Sequence, residues 1–318
     1  MISYIIRRLL QSIVVLLLVS VIVFLGIRLL PGDPILLVLS QSDVGSFTEE
    51  EVEHLRHEYG LDKSYPEQYI NWIKGLLHGD MGKSIITSAS VADEIGRRLP
   101  ITFHIGILAI ILGAVVGIPI GVISAVKRGK WLDQVVITIS NLGITMPNFL
   151  LAMILMYIFA LHLQWLPVMG YTSPFEDLAL NARQLVMPVI CLAVFPMASM
   201  ARQSRSSMLE VMQQDYIRTA RAKGLSERTV IFTHALKNGL IPIITLLGMS
   251  IHLVVGGAVV IENIFNIPGM GRLLVSSVQN QDFAYVQGII MIIAVVIILT
   301  NLLVEVLYAV LDPRIRLS

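Results

Sequence analysis

Six apolar runs, free or nearly free of charge, recur along the chain: Leu9 to Ile27, Ile101 to Val126, Gln134 to Leu163, Gln184 to Ala201, Gly239 to Ile261, and Phe283 to Val304. A helix of about 20 such residues crosses the roughly 30 Å of hydrocarbon in a bilayer, so the pattern predicts an all-α integral membrane protein with six transmembrane helices. The first run follows Arg7-Arg8 and has the outline of a secretory signal. It is too long, and no small-x-small cleavage site follows it, so it reads as a retained anchor over residues 1–30.

Two polar segments are long enough to have structure of their own. Between the fourth and fifth runs, Asp215 to Gly239 reads as helix, glycine break, helix. Asp215 is expected to N-cap the first helix, Gly224 to supply the left-handed stop, and Ser226 to cap the second, which runs to about Asn238. Tyr216, Ile217, Leu225, Val230 and Ile231 give this pair of short helices apolar side chains, which implies a docking surface. A plain solvated connection between spans needs no capped helices.

The other segment, residues 31–100, forms a small lobe between the first and second spans. It holds twelve Asp and Glu against six Lys and Arg, including Glu49-Glu50-Glu51-Val52-Glu53. Thr48 is expected to cap a helix here, with Glu51 at the capping-box position and Leu55 and Tyr59 on a common face. A second helix is expected over Tyr65 to Leu77, with Tyr69, Trp72, Ile73 and Leu76 as its apolar stripe. Such a lobe packs on the membrane domain rather than folding alone. The core is then 101–318, with the coupling helices within 208–239.

Charge orients the spans. Arg7 and Arg8 precede the first, Lys127, Arg128 and Lys130 separate the second and third, and the insert carries Arg218, Arg221, Lys223, Arg228 and Lys237. Arg314 and Arg316 close the chain, while the opposite loops, the lobe aside, hold only Arg183 and Arg272. Both termini and the insert are therefore expected on the cytoplasmic side, and the lobe outside. With 55% hydrophobic and 14% charged residues, an ordinary soluble domain is excluded. A net charge of +1, segregated by loop, gives no indication of nucleic acid. The single Cys191 falls in a predicted span and allows no internal disulfide.

Candidate catalytic signatures fail on their spacing. Gly82-Lys83-Ser84 ends like a phosphate-binding loop, but the first glycine of that motif would fall on Leu77. ATP use must therefore come from another subunit. His54, His57 and Glu58 match neither zincin order, and no nucleophile or carboxylate dyad has suitable spacing.

The spans carry packing signals instead. Ala109, Gly113, Gly117, Gly121 and Ala125 recur at four-residue steps, which lets a neighbouring helix approach closely. Prolines at 119, 147, 188, 196 and 242 lie in or beside spans and suggest bent helices around a conduit. Asn141, His252 and Glu262 are the candidates for lining it, because polar groups facing lipid are expensive. Glu305, near the inner end of the last span, is a further group to place, with Arg314 or the insert as its expected partner.

Taken together, these motifs resemble a known family. Tyr4-Ile-Ile-Arg-Arg-Leu-Leu, Leu30-Pro-Gly-Asp-Pro34, Tyr59-Gly-Leu-Asp62, Gly79-Asp-Met-Gly-Lys-Ser84 and Arg98-Leu-Pro-Ile-Thr102 occur in order. Trp165-Leu-Pro, Tyr216 to Leu225, Val260-Ile-Glu-Asn-Ile-Phe265, Pro268-Gly-Met-Gly-Arg272 and Leu311-Asp-Pro-Arg-Ile-Arg316 follow. The whole chain is similar to the first permease subunit of peptide and nickel ABC importers. The resemblance implies a type I ABC importer permease fold in a bacterial plasma (inner) membrane. It also implies a second homologous permease, two ATPase subunits that bind ATP and Mg, and an extracytoplasmic substrate-binding protein. No cofactor and no metal site are expected in this chain.

In that family the insert is the EAA loop, which docks on an ATPase. The resemblance implies ATPase coupling by Asp215, Tyr216, Arg218, Ala220, Arg221, Lys223, Gly224 and Leu225. Ala220 and Gly224 fall on the loop's alanine and glycine positions, while its glutamate is Arg218 here and its isoleucine and proline are His234 and Lys237. The stretch from Val260 to Arg272 implies an outer gate or a binding-protein contact. Import of di- or oligopeptides is the expected function, with a nickel chelate as the alternative substrate. An intramembrane enzyme or a stand-alone channel are the competing classes.

Overall fold

A computed structural model describes residues 2–29 and 49–311, with the side chains of 2–5, 49, 51, 55, 58, 241, 252–255 and 306–311 outside the description. Thr48, Leu30 to Pro34, Arg314 and Arg316 lie outside the described residues, as does the His252 side chain.

Twelve helices are present among the described residues: α1 (Ile2–Arg28), α2 (Glu49–Glu58), α3 (Tyr65–Leu77), α4 (Val91–Val126), α5 (Trp131–Thr145), α6 (Asn148–His162), α7 (Leu178–Val211), α8 (Asp215–Ala222), α9 (Glu227–Gly239), α10 (Ile241–Ile264), α11 (Met270–Gln279) and α12 (Phe283–Leu311). Four are long and apolar enough to cross a membrane alone, and six spans result when the bent pairs α5–α6 and α9–α10 each count as one. Helix α3 has the bounds expected of it. Helix α4 begins ten residues before its apolar run, because Ser90 accepts the Asp93 N–H and starts a polar first turn with Asp93 and Glu94.

The prolines divide into two groups. Pro119, Pro188 and Pro196 ride inside continuous helices and do not break a span, while Pro242 occupies the first turn of α10, just after the 52° bend that separates it from α9. Pro147 does break its span. It pushes Met146 into an extended conformation (φ −72°, ψ 123°), ending α5, and α6 leaves at 105°.

The chain forms two compact units, Met1–Ile101 with Pro268–Ile298, and Thr102–Ile267 with Leu299–Ser318. In the first, α1 packs on α3 through Phe24, Tyr69 and Trp72, and Ser20 and Tyr69 share a hydroxyl hydrogen bond of 2.8 Å. Val91, Ile95, Met270, Leu273, Tyr285 and Ile289 form its core. The lobe therefore shares its unit with residues 268–298, and the buried Ser84 hydroxyl donates to the Asp282 carboxylate just ahead of α12.

The second unit is built on the small-residue stripe of α4. A Cβ at Gly117 or Gly121 would fall under 3.0 Å from the carbonyl oxygen of Met197 or Ala201, so α4 seats directly on the α7 backbone. Helix α5 approaches α7 at Gly143, beside Val194 and Ala198.

Candidate functional site

The helix-glycine-helix insert is an elbow seated on the ends of α4 and α7. Gly224 turns it with φ +78°, a left-handed conformation that strains any side chain. Ser226 caps α9 by accepting the Thr229 N–H, as expected. The expected Asp215 cap is corrected: Gln214 occupies the N-cap position, and Asp215, one residue inside the helix, faces Arg218 at 3.4 Å. Across the turn, Arg221 donates to both Glu227 oxygens, at 2.7 and 3.3 Å, and braces α8 against α9.

The elbow's apolar residues separate into two faces. Ile217, Ala220, Val230 and Ala235 are buried against Val122, Ala125 and Met208, forming one core with α4 and α7. Ile217 and Val230 thus hold the elbow to its own chain instead of offering it to a partner, and Ile231 packs beside them. The outward face presents Tyr216 (43% exposed), Leu225 (39%) and Phe232 (60%). Arg218, Lys223 and Arg228 are exposed around it, and Asn238 donates to the Tyr216 hydroxyl at 2.9 Å. Sequence reasoning missed Phe232. It lies in the wide π turn Val230–Ala235, where Val230 and Ala235 point inward and Phe232 outward, and α-helical spacing in the sequence gives no signal for that.

Among the candidates for lining a conduit, Asn141 is exposed on α5, one turn before exposed Thr145, whose hydroxyl donates to the Asn141 carbonyl at 3.0 Å. Thr145 was not among the expected residues. Glu262 is different: it is 1% exposed and accepts from the Thr102 hydroxyl at 2.6 Å, joining α10 to α4 inside the second unit. His104, on α4, meets the Tyr171 hydroxyl at 3.3 Å. Glu305 is half-buried on α12.

One constellation was not foreseen. Asp133, in the first turn of α5, is 3% exposed and accepts four hydrogen bonds. Arg205 of α7 donates to Oδ1 at 2.6 Å and to Oδ2 at 2.9 Å, Ser124 of α4 donates to Oδ1 at 2.6 Å, and the Gly129 N–H donates to Oδ2 at 2.9 Å. The sequence signal was an acid just before one apolar run and an arginine four residues past the end of another, each close enough to a span to gain from a partner.

No group of three or more His, Cys, Asp or Glu able to hold a metal occurs among the described residues. Comparison with known proteins fits this elbow on a bundle of spans. Residues 117–317 match the family of binding-protein-dependent transport system inner membrane components, and residues 1–106 match the N-terminal part of such components. This chain belongs to that family. A relative in Sinorhizobium fredii, named "Probable peptide ABC transporter permease protein", is 40% identical over 98% of this chain and 99% of its own length. The glutathione transport system permease protein of Pectobacterium atrosepticum is 39% identical over 99% of both chains. In fold, the inner-membrane component resembles a chain of the inward-facing MetNI methionine ABC transporter (18% identity, TM-score 0.55), covering 69% of this chain and 96% of that one. The chain is thus a multi-pass membrane transport component with a type I ABC importer permease fold.

Proposed function

We propose that this permease forms half of the translocation pathway of an ATP-driven, binding-protein-dependent importer of di- or oligopeptides. Its elbow, on the cytoplasmic side with both termini, docks on an ATPase subunit. The observation that carries this reading is the elbow itself. One apolar face is fixed to α4 and α7, and the other, Tyr216, Leu225 and Phe232 among exposed basic residues, is uncovered. The peptide substrate rests on the names of the relatives, two of which refer to peptide and glutathione transport.

The chain works without a cofactor or an ATPase site of its own. ATP and Mg are bound by two partner ATPases, a second homologous permease completes the pathway, and an extracytoplasmic protein delivers the substrate. Asn141 with Thr145 is the best-placed polar pair for lining the pathway, because both are exposed polar groups on the largely apolar helix α5. Glu262, buried in its bond to Thr102, joins α4 and α10. Coupling requires that the elbow bind its ATPase differently in the two states of the cycle.

The test is ATP hydrolysis by the complex assembled in nanodiscs, with binding proteins loaded with dipeptides, longer peptides or a nickel chelate. Stimulation by a peptide-loaded protein supports the reading, and stimulation by the chelate alone moves the substrate to the alternative. Failure to assemble with any ATPase, or ion conduction by the chain alone, overturns it.

A further inference from the structure

We propose that Asp133 and Arg205 are positioning residues for coupling: their ion pair makes the elbow-side ends of α4, α5 and α7 one rigid block, so that movement of the elbow is delivered to the broken span α5–α6. This rests on the importer reading above.

Placement is the first argument. Ser124, which donates to Asp133, lies between Val122 and Ala125 of the elbow's core, and Arg205 lies one turn before Met208 of the same core. The two helix ends that seat the elbow are therefore the two that grip α5. Asp133 gathers donors from α4, from the turn at Gly129 and from α7, and so joins three elements through one carboxylate.

The type of interaction is the second argument. A buried ion pair is a poor stabiliser compared with packed apolar residues, because desolvating both charges offsets their attraction. What it does supply is geometry. A bidentate guanidinium–carboxylate contact fixes distance and orientation, where an apolar contact slides.

The third argument is what lies beyond the grip. Asp133 is twelve residues from Thr145, so α5 is a lever about 18 Å long at about 1.5 Å per residue. It ends at the 105° break and carries Asn141 and Thr145 near its far end. Beside it runs an apolar groove of about 430 Å³, lined by Ile123, Val136, Ile139, Met146, Met197 and Ala201 among others, which leaves α5 room to tilt against α7. A lever fixed at its foot and free along one flank turns a small displacement of the elbow into a larger one at the bend.

The experiment uses the whole transporter in proteoliposomes, with spin labels at the exposed positions Thr138 (α5) and Lys237 (α9). In the wild type, the Thr138–Lys237 distance stays constant when nucleotide binds, because foot and elbow move together. In the double variant Asp133→Leu/Arg205→Met, which removes both charges and leaves neither unpaired, the complex still assembles. ATP hydrolysis persists, the distance changes with nucleotide, and peptide transported per ATP falls at least tenfold. Arg205→Lys, which keeps the charge without the fork, falls between. Wild-type transport per ATP with an unchanged distance in the double variant would falsify the proposal. Loss of assembly in both variants would reduce the pair to a structural latch and overturn it as well. A wild-type chain that assembles with no ATPase removes the importer reading and this proposal together, whereas a wild-type complex that imports while the double variant is normal removes only the proposal.

Discussion

Midway along their length α4 and α7 meet backbone to backbone through Gly113, Gly117 and Gly121, while at the elbow end side chains hold them: a shared apolar core and the Asp133–Arg205 pair. The glycine seam has no side chain that can change rotamer, so it fixes the spacing of the two helices. The elbow end is made of groups whose geometry depends on a partner residue. The seam holds α4 and α7 at one spacing, and the elbow end adds directional contacts that tie the foot of α5 to both, so a displacement of the elbow reaches α5 there.

The largest expected effect is at the seam. Gly121→Leu drives a side chain into the Ala201 carbonyl and the Ser204 Cβ, so folded, monodisperse permease is lost in detergent, with Gly121→Ala intermediate. Monodisperse Gly121→Leu protein at wild-type yield would mean that the seam is not a fixed contact.

Next comes Arg205→Ala, which leaves the Asp133 carboxylate buried and unpaired. With Ser124 and the Gly129 N–H still donating to that carboxylate, the loss should be about 1–3 kcal/mol, whereas the double apolar variant stays near wild type. Thermal unfolding of the two side by side checks this, and equal losses would show that volume, not charge, is what matters there.

At the elbow, Gly224→Val is expected to abolish transport. The added Cβ meets nothing within 4 Å, so the cost of about 1–2 kcal/mol is purely the left-handed backbone. Normal uptake by this variant would mean that the turn is not needed for docking. Phe232→Ser should leave stability unchanged and weaken association with the ATPase by about tenfold or more, as loss of a docking aromatic does; unchanged association would place the ATPase elsewhere.

The smallest effect concerns Asp282, a buried carboxylate with a hydroxyl partner where Asp133 has a guanidinium. Burial pushes the Asp282 carboxyl up, and the Ser84 hydroxyl only partly offsets this. The folded state therefore holds the proton more tightly than the unfolded chain. This contribution to stability is fully present below the unfolded carboxyl value of about 3.9 and is lost as pH rises through the raised folded value. Asp282→Asn should flatten that part of the stability profile, and an unchanged profile would show that Asp282 does not titrate there.

Much of the architecture was legible because membrane burial writes itself into long apolar runs, and a left-handed turn writes itself into a single glycine between capped helices. The glycine stripe of α4 gave a close contact, though not the identity of its neighbour. The capping box at Thr48 falls outside the described residues, and the N-cap of α8 moved from Asp215 to Gln214 because boundaries depend on backbone torsions that several polar residues tolerate.

By itself, the sequence determined the spans, the elbow with its Gly224 break and the family, since these depend on local periodicity, chain order and special backbone torsions. Only the tertiary structure decided that Ile217 and Val230 face inward and Phe232 outward, that Pro147 breaks its span where Pro188 and Pro196 do not, and that Asp133 meets Arg205. Asp133 and Arg205 are 72 residues apart. Which groups meet across such a separation is set by how whole helices pack, and no local pattern records it.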